Sequence, residues 1–297
     1  MRETTPDDAQ NILLDRAARL PWFRAPDRVA ILGGGKTNHN VLVADQGATF
    51  VVRFGTDIRV HGILRWNELA ITRAAERAGL GPAVRYAQDG VMVLDYVDAQ
   101  PITPADRRGN MVEMLADMVA RVHRDVFAQV QGPILAFHVF HILRDYARQL
   151  LASPHHPLLG ELLQQAALLD QVVGPSETVL GHNDLLAGNI LWGAGRLWLI
   201  DWEYAGLGNP LFDLGGIASN NGFDLAEERV LLETYYNHPL NDALWRRYCA
   251  MKAASLLRET LWSMVSEQAS DVDFDYGAYT AENLAAYRAA YVQFQSL

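Results

Sequence analysis

The chain has 297 residues, of which 50% are hydrophobic and one is cysteine, and a formal net charge of −10. That length admits one large domain or two lobes with an ample core, the lone Cys249 excludes an intramolecular disulfide, and the acidic balance argues against a nucleic-acid or anionic-membrane partner. No uninterrupted apolar run approaches the roughly 20 residues of a membrane span, and the polar start MRETTPDDAQ is unlike a signal peptide, so a cytoplasmic location is expected.

A leading helix is expected over residues 7–20, where Ile12, Leu13, Ala17 and Leu20 keep helical spacing behind a cap at Asp7 or Asp8 and Pro21 ends the run. Residues 28–54 then alternate strand-like runs with turns: VAIL, NVLVAD and ATFVVRF, the last two joined by Gln46-Gly47. The cluster Gly33-Gly34-Gly35-Lys36-Thr37-Asn38 is either a plain glycine-rich turn or a phosphate cradle, since glycines let backbone N–H groups approach an anion and Thr37 and Asn38 add donors. It is not a Walker loop, because Ala30 stands where the first glycine belongs and a strand follows. Arg53 shares a face with Thr49 and Val51 and needs a charged partner or an exit to solvent. Glu68, early in the helix read from LRWNELAITRAAERAG, is the candidate partner.

Gly79-Leu80-Gly81-Pro82 stops that helix, and VRYA and VMVLDYV form a hairpin about Gln88-Asp89-Gly90. Asp98-Ala99-Gln100-Pro101 marks the expected boundary between a first lobe, residues 1–98, and a second, residues 99–297. Helices are expected over 105–126, with Met111, Leu115, Met118, Val119, Val122 and Val126 on one stripe, and over 138–152 and 158–172. His123 reads as a buried hydrogen-bonding residue or a partner for the helix C-terminus. The pair His155-His156 reads as a solvated loop, because no third ligand accompanies it at metal-site spacing.

Residues 179–216, VLGHNDLLAGNILWGAGRLWLIDWEYAGLGNPLFDLGG, carry the chemistry. Short apolar runs deliver Asp184 and Asp201 to strand ends, and Asn189 lies between them. Phosphoryl transfer asks a protein to position a hydroxyl and hold magnesium on the phosphates. One carboxylate and one amide oxygen are enough protein ligation for magnesium. Asp201 and Asn189 fit those two roles, leaving Asp184 to accept the proton. Each Asp taken singly also reads as a turn former or helix cap.

His182-Asn183-Asp184 with Asn189-Ile190-Leu191, followed by Ile200-Asp201-Trp202-Glu203-Tyr204-Ala205, resembles the catalytic and metal-binding segments of the kinase-like phosphotransferases, and most closely those of choline and ethanolamine kinases. The resemblance covers roughly residues 31–280 and implies a two-lobed α+β fold of the protein kinase type, an antiparallel sheet with one helix followed by a mainly helical lobe. It assigns Gly34, Gly35, Thr37 and Asn38 to the phosphates of ATP, Arg53 with Glu68 to the same phosphates, and the backbone at Asp95 and Val97 to adenine. Asp213 resembles the position whose carboxylate braces the catalytic loop, and Glu203 reads either as a helper for magnesium or substrate or as a strand-end salt bridge.

The remaining helices are expected over residues 225–236, 242–269 and from Tyr279 onward. In choline kinases this end forms an aromatic cage for the ammonium head, and Trp262 and Tyr279 match that wording. Glu259 replaces the family's other tryptophan, which keeps ethanolamine or another amino alcohol open beside choline. The implied activity is ATP- and Mg2+-dependent phosphorylation of a small cationic alcohol, with an aminoglycoside, thiamine or other amine-alcohol acceptor as the alternative within the superfamily. A nucleotide-binding regulator without turnover is the alternative of another class; it would be expected to lack Asp184, Asn189 or Asp201, and all three are present.

Overall fold

Proline's fixed φ suits a first helical position, and helix α1 (Pro6–Ala18) begins at Pro6, so Asp7 and Asp8 lie inside its first turn and not at a cap. The structure, a computed structural model, describes residues 6–33, 38–270, 272 and 274–297. Strands β1 (Pro26–Leu32), β2 (His39–Asp45), β3 (Ala48–Phe54), β4 (Val84–Gln88) and β5 (Val91–Asp95) form an antiparallel sheet in the order β1-β2-β3-β5-β4. Gln46 and Gly47 both have left-handed φ, 52° and 79°, the backbone of a hairpin turn whose twist matches its strands. That turn sets Asp45 against Ala48 and Asn40 against Arg53. Val52 and Phe54 join Val41, Val43 and Val93 in a core closed by Ala17 of α1 and by Leu20 just beyond it. Alternation therefore turns Arg53 to the other face.

Helix α2 (Arg65–Arg77) bridges the two halves: Ile71, Ala74 and Ala75 pack into the large core of the second half, while Glu68 meets Arg53 of the sheet. The chain leaves the sheet after β5 and enters β6 (Gln100–Pro101), which pairs with β8 (Ile190–Gly193), itself paired with β9 (Arg196–Leu199). Helix α3 (Met111–Arg121) starts with its apolar stripe at Met111, six residues later than the expected 105. A 3-10 turn at Pro104–Asp106, closed by a Thr103 capping box, and the left-handed Gly109 take up the intervening chain.

The helical run continues through a π turn (Val122–Val126) and α4 (Phe127–Gln129), and only then α5 (Val139–Gln149) and α6 (His156–Val173) follow. His155 sits in a partly exposed turn with its Nε2 2.7 Å from Glu267 Oε2, and α6 begins at the exposed His156, whose N–H donates to the Ser153 carbonyl. Strands β7 (Val179–Gly181) and β10 (Gly206–Gly208) pair with each other.

Helix α7 (Pro210–Asn220) carries no clear helical pattern because of Gly215-Gly216, yet Asn209 caps it by accepting the Leu211 N–H at 2.9 Å. A Cβ on Gly215 would lie 2.9 Å from the Lys252 Cα, so the glycine permits α7 to cross α9 (Asp242–Ala269). Helix α8 (Leu225–Tyr236) and α9 keep the expected bounds, and α10 (Tyr276–Gln295) starts three residues early, where Asp275 accepts the Ala278 N–H at 2.9 Å. Lys252 Nζ reaches both Glu228 oxygens, 2.8 and 3.0 Å, tying α8 to α9 within this core. No described helix is long and apolar enough to cross a membrane.

Candidate active site

The loop after β7 is held by a single buried carboxylate. Asp213, in the first turn of α7, accepts the N–H groups of His182 and Asn183, each at 2.7 Å, as the sequence led us to expect. His123 Nε2 adds a third contact at 3.0 Å, from the π turn, while its Nδ1 meets the Tyr235 hydroxyl at 2.7 Å. Burial alone would raise the Asp213 pKa, but the hydrogen bond and charge of His123 and the His182 contacts hold it below the ordinary carboxylate value. His182 is buried, which lowers its pKa and keeps the ring neutral. Its Nε2 donates to the Ile200 carbonyl at 3.0 Å and its Nδ1 accepts the Asp184 N–H at 3.3 Å, a consistent tautomer. Asn183 and Asp201 both adopt left-handed φ, 65° and 66°, a conformation that asparagine and aspartate tolerate and that recurs at functional sites.

Asp184, Asn189 and Asp201 are brought together by these elements. Asn189 Nδ2 donates to the Asp184 carboxylate at 3.0 Å and to its carbonyl at 2.9 Å. The Ile200 N–H donates to the Asn189 carbonyl at 3.0 Å, which seats Asp201 beside Asn189 at the open end of the β8–β9 hairpin. Asp184 keeps a partly accessible edge, yet the protein around it pushes its pKa well up: burial contributes most, then the negative charge of Glu259, with Asp201 and Glu203 adding and Arg258 opposing.

A network of charges backs the site. Arg53 Nε lies 2.7 Å from Glu68 Oε1 as an ion pair whose angle falls short of a straight hydrogen bond, and its Nη2 contacts Asp201 Oδ1 and, at 3.3 Å, Glu203 Oε2. Arg65 Nη1 bonds Glu68 Oε2 at 2.6 Å and Glu203 Oε2 at 3.0 Å, and Asn38 Nδ2 donates to the same Glu203 oxygen at 2.9 Å. Glu203 therefore gathers two arginines and an amide in the interior. Of its two sequence readings, the ion-paired one describes these contacts. A Cβ on Gly55 would lie 2.5 Å from Asn38 Oδ1 and 2.9 Å from the Arg65 guanidinium, which explains a glycine there.

At the other end, Glu259 on α9 accepts the Tyr279 hydroxyl at 2.8 Å and Arg258 Nη1 at 2.9 Å. Trp262 is buried, donates its indole N–H to the Tyr204 hydroxyl at 2.7 Å and lies near the rings of His61 and Tyr279, centroids 5.1 and 6.5 Å away. Glu259, Trp262 and Tyr279 are thus brought together. A cavity of about 260 Å³ opens beside Glu203, Tyr204, His61, Tyr146 and Arg258, and a small space beside Asp184 and Glu259 adjoins Arg258 as well. A larger cavity, about 440 Å³, is lined by the tilted Phe137–Phe212 pair, and none of the charged groups named above lines it.

The expected nucleotide contacts fare unevenly. Gly34, Gly35 and Thr37 lie outside the described residues. Asp95 turns its carboxylate to Arg85, 2.7 and 2.6 Å, and donates its N–H to the Ala83 carbonyl, while the Val97 carbonyl accepts the Ala99 N–H. Among the described residues no three His, Cys, Asp or Glu side chains converge as a metal cluster. One carboxylate and one amide remain a fitting pair for magnesium: Asp201 is bonded through Oδ1 and Asn189 through its nitrogen, so each has an oxygen to offer a hard cation that also takes phosphate and water.

Sequence reasoning missed Arg65, His61, Tyr146, Tyr204 and Arg258. Arg65 stands three residues before Glu68, the spacing that shares a helix face, and Arg258 interrupts the apolar run of α9, so both left a signal. Tyr204 stood inside the Ile200–Ala205 motif without being given a role, and His61 and Tyr146 left no signal.

The family described as APH, phosphotransferase enzyme family, matches residues 28–251. Protein LicA of Haemophilus influenzae is 28% identical over 267 residues, spanning 85% of this chain and 77% of that protein. A probable ethanolamine kinase A of Dictyostelium discoideum is 25% identical over 306 residues, spanning 90% of this chain and 86% of its own. The solved structure of a choline/ethanolamine kinase family protein from Mesorhizobium loti superposes with a TM-score of 0.77 at 24% identity and 94% coverage of both chains, a likeness of fold.

Proposed function

The chain belongs to the phosphotransferase enzyme family, and from that premise we propose a kinase that moves the γ-phosphoryl group of ATP onto the hydroxyl of a small cationic alcohol of the ethanolamine or choline class. The convergence of Asp184, Asn189 and Asp201 on one edge of the cleft, facing Glu259, carries this reading. It is supported by relatives that include a probable ethanolamine kinase.

Asp184 accepts the proton of the acceptor hydroxyl as its oxygen bonds to the γ-phosphorus and ADP departs, so the proton ends on the Asp184 carboxylate. Asn189 fixes that carboxylate through its amide nitrogen, and its oxygen, with an Asp201 oxygen, would hold magnesium. Bound there, the metal would neutralise charge on the phosphates. Asn38 and the preceding glycine loop are assigned to the phosphates, with Arg53, oriented by Glu68, beside them, and the backbone at Val97 and Asp95 to the adenine edge.

Carboxylates outnumber cations around the cleft, Asp184, Asp201, Glu203, Glu68 and Glu259 against Arg53, Arg65 and Arg258, which favours a positively charged acceptor. A guanidinium lies over the Tyr204 ring, 4.3 Å from its centroid, and the His61 ring lies against Trp262, tilted by 32°. With those aromatic faces covered, a primary ammonium that hydrogen-bonds a carboxylate suits the pocket better than a trimethylammonium that needs open rings. The test is ATP consumption with ethanolamine, choline, thiamine and kanamycin as acceptors. Strongest stimulation by ethanolamine supports the reading, and stimulation confined to thiamine or kanamycin contradicts it.

A further inference from the structure

Arg258 is a buried cation that the scheme above leaves without a task. It is 3% exposed, and Nη1 alone of its nitrogens is bonded, to Glu259 at 2.9 Å. Nε and Nη2 are buried without a hydrogen-bond partner among the described residues. These two nitrogens form one edge of the guanidinium, the edge that meets two oxygens of a carboxylate or phosphate in parallel. A buried N–H without an acceptor is costly, so such an edge is kept where something fills it. Arginines that only brace the fold are satisfied here: Arg107 reaches Glu227 and two carbonyls, and Arg247 reaches the carbonyls of Val173 and Pro175.

Position narrows what fills the Arg258 edge. The side chain lines both the small space beside Asp184 and the larger cavity beside Glu203, and so stands between the catalytic carboxylate and the acceptor cavity. An anion entering there without it would face Asp184 and Glu259 directly. Building on the proposed alcohol phosphorylation at Asp184, we propose that the Nε/Nη2 edge of Arg258 is an oxyanion seat of the acceptor pocket, taking two oxygens of one bound group. That group is the phosphoryl as it arrives on the acceptor, or a carboxylate on an acceptor that carries one, such as a hydroxy amino acid.

The test is calorimetric titration of inorganic phosphate, phosphoethanolamine, L-serine and ethanolamine into the wild-type protein, Arg258→Lys and Arg258→Met, each saturated with ADP so that the nucleotide's own phosphate site is filled. Phosphoethanolamine or L-serine affinity is expected to fall by about tenfold or more in Arg258→Met and to return only in part with Lys, a point charge without the fork. Ethanolamine, which has no oxyanion, is expected to lose no affinity in either variant, since neither adds a cation beside Glu259. Loss confined to the phosphate compounds identifies the phosphoryl group, and loss for L-serine identifies an acceptor carboxylate. If neither phosphate compounds nor L-serine distinguish wild type from the variants, whether by binding all equally or by binding none, the proposal is overturned. ADP binding reports that each variant is folded, with Arg258→Lys deciding if Arg258→Met is not. Turnover of ethanolamine, measured alongside, decides the phosphotransfer reading separately, because the titrations need no turnover.

Discussion

Asn189 Nδ2 donates to both the carboxylate and the carbonyl of Asp184, so the amide assigned to the metal is also the clamp on the assigned base. Asn189→Ala removes the clamp and a ligand together. We expect kcat to fall by about a hundredfold or more with the melting temperature little changed, measured by steady-state kinetics beside thermal unfolding. A variant within a few-fold of wild type would mean that Asn189 does neither job.

The acidity of Asp184 should be tunable from α9. Burial and then Glu259 hold its pKa up, so activity that needs the carboxylate charged should fail at a higher pH than an ordinary aspartate would impose. Glu259→Gln removes a negative charge and releases Arg258 to face Asp184, both of which favour the carboxylate. The acid limb of kcat/KM should therefore move to lower pH in Glu259→Gln, and a limb that stays or moves upward would exclude the coupling.

The same raised pKa makes Asp184 a liability for stability. The folded chain holds the Asp184 proton more tightly than the unfolded chain, so this group's contribution is complete below the ordinary carboxylate range and is lost as pH rises through the folded value. Near neutral pH, Asp184→Asn should raise the melting temperature, by roughly 2 °C given the residue's partly accessible edge, while abolishing turnover. At pH 3 the difference should vanish, and a gain there equal to that at neutral pH would contradict the ionisation account.

Removing one partner from the buried charge network should be expensive. Arg53 contacts Glu68, Asp201 and Glu203, and Arg53→Met takes the guanidinium from Asp201 and leaves Glu68 and Glu203 to Arg65; we expect a loss of about 3 kcal/mol in urea unfolding. Adding Glu68→Leu to that variant should recover part of the loss, and simple additivity would show that the two residues do not interact.

Much of this was legible from residue pattern. Val41, Val43 and Val52 alternate cleanly, α8 and α9 keep their expected bounds, and Asp213 was placed as the brace it proves to be. The π turn was not, because one extra residue in a helical turn leaves the apolar stripe of α3 intact while it brings His123 to Asp213. Strands β6 and β10 are too short to show a period. Arg258 meets the ring of Tyr204 only after α9 packs across the cleft, so the contact that fills the aromatic pocket has no local signature.

The most direct test of the account is phosphorus NMR of the reaction products, with ATP, magnesium and ethanolamine incubated with the wild-type protein and with Asp184→Asn. The account predicts a phosphomonoester resonance that grows with the loss of ATP in the wild type and is absent in the variant. ATP consumed with only inorganic phosphate formed, or phosphoethanolamine formed equally by Asp184→Asn, would contradict it.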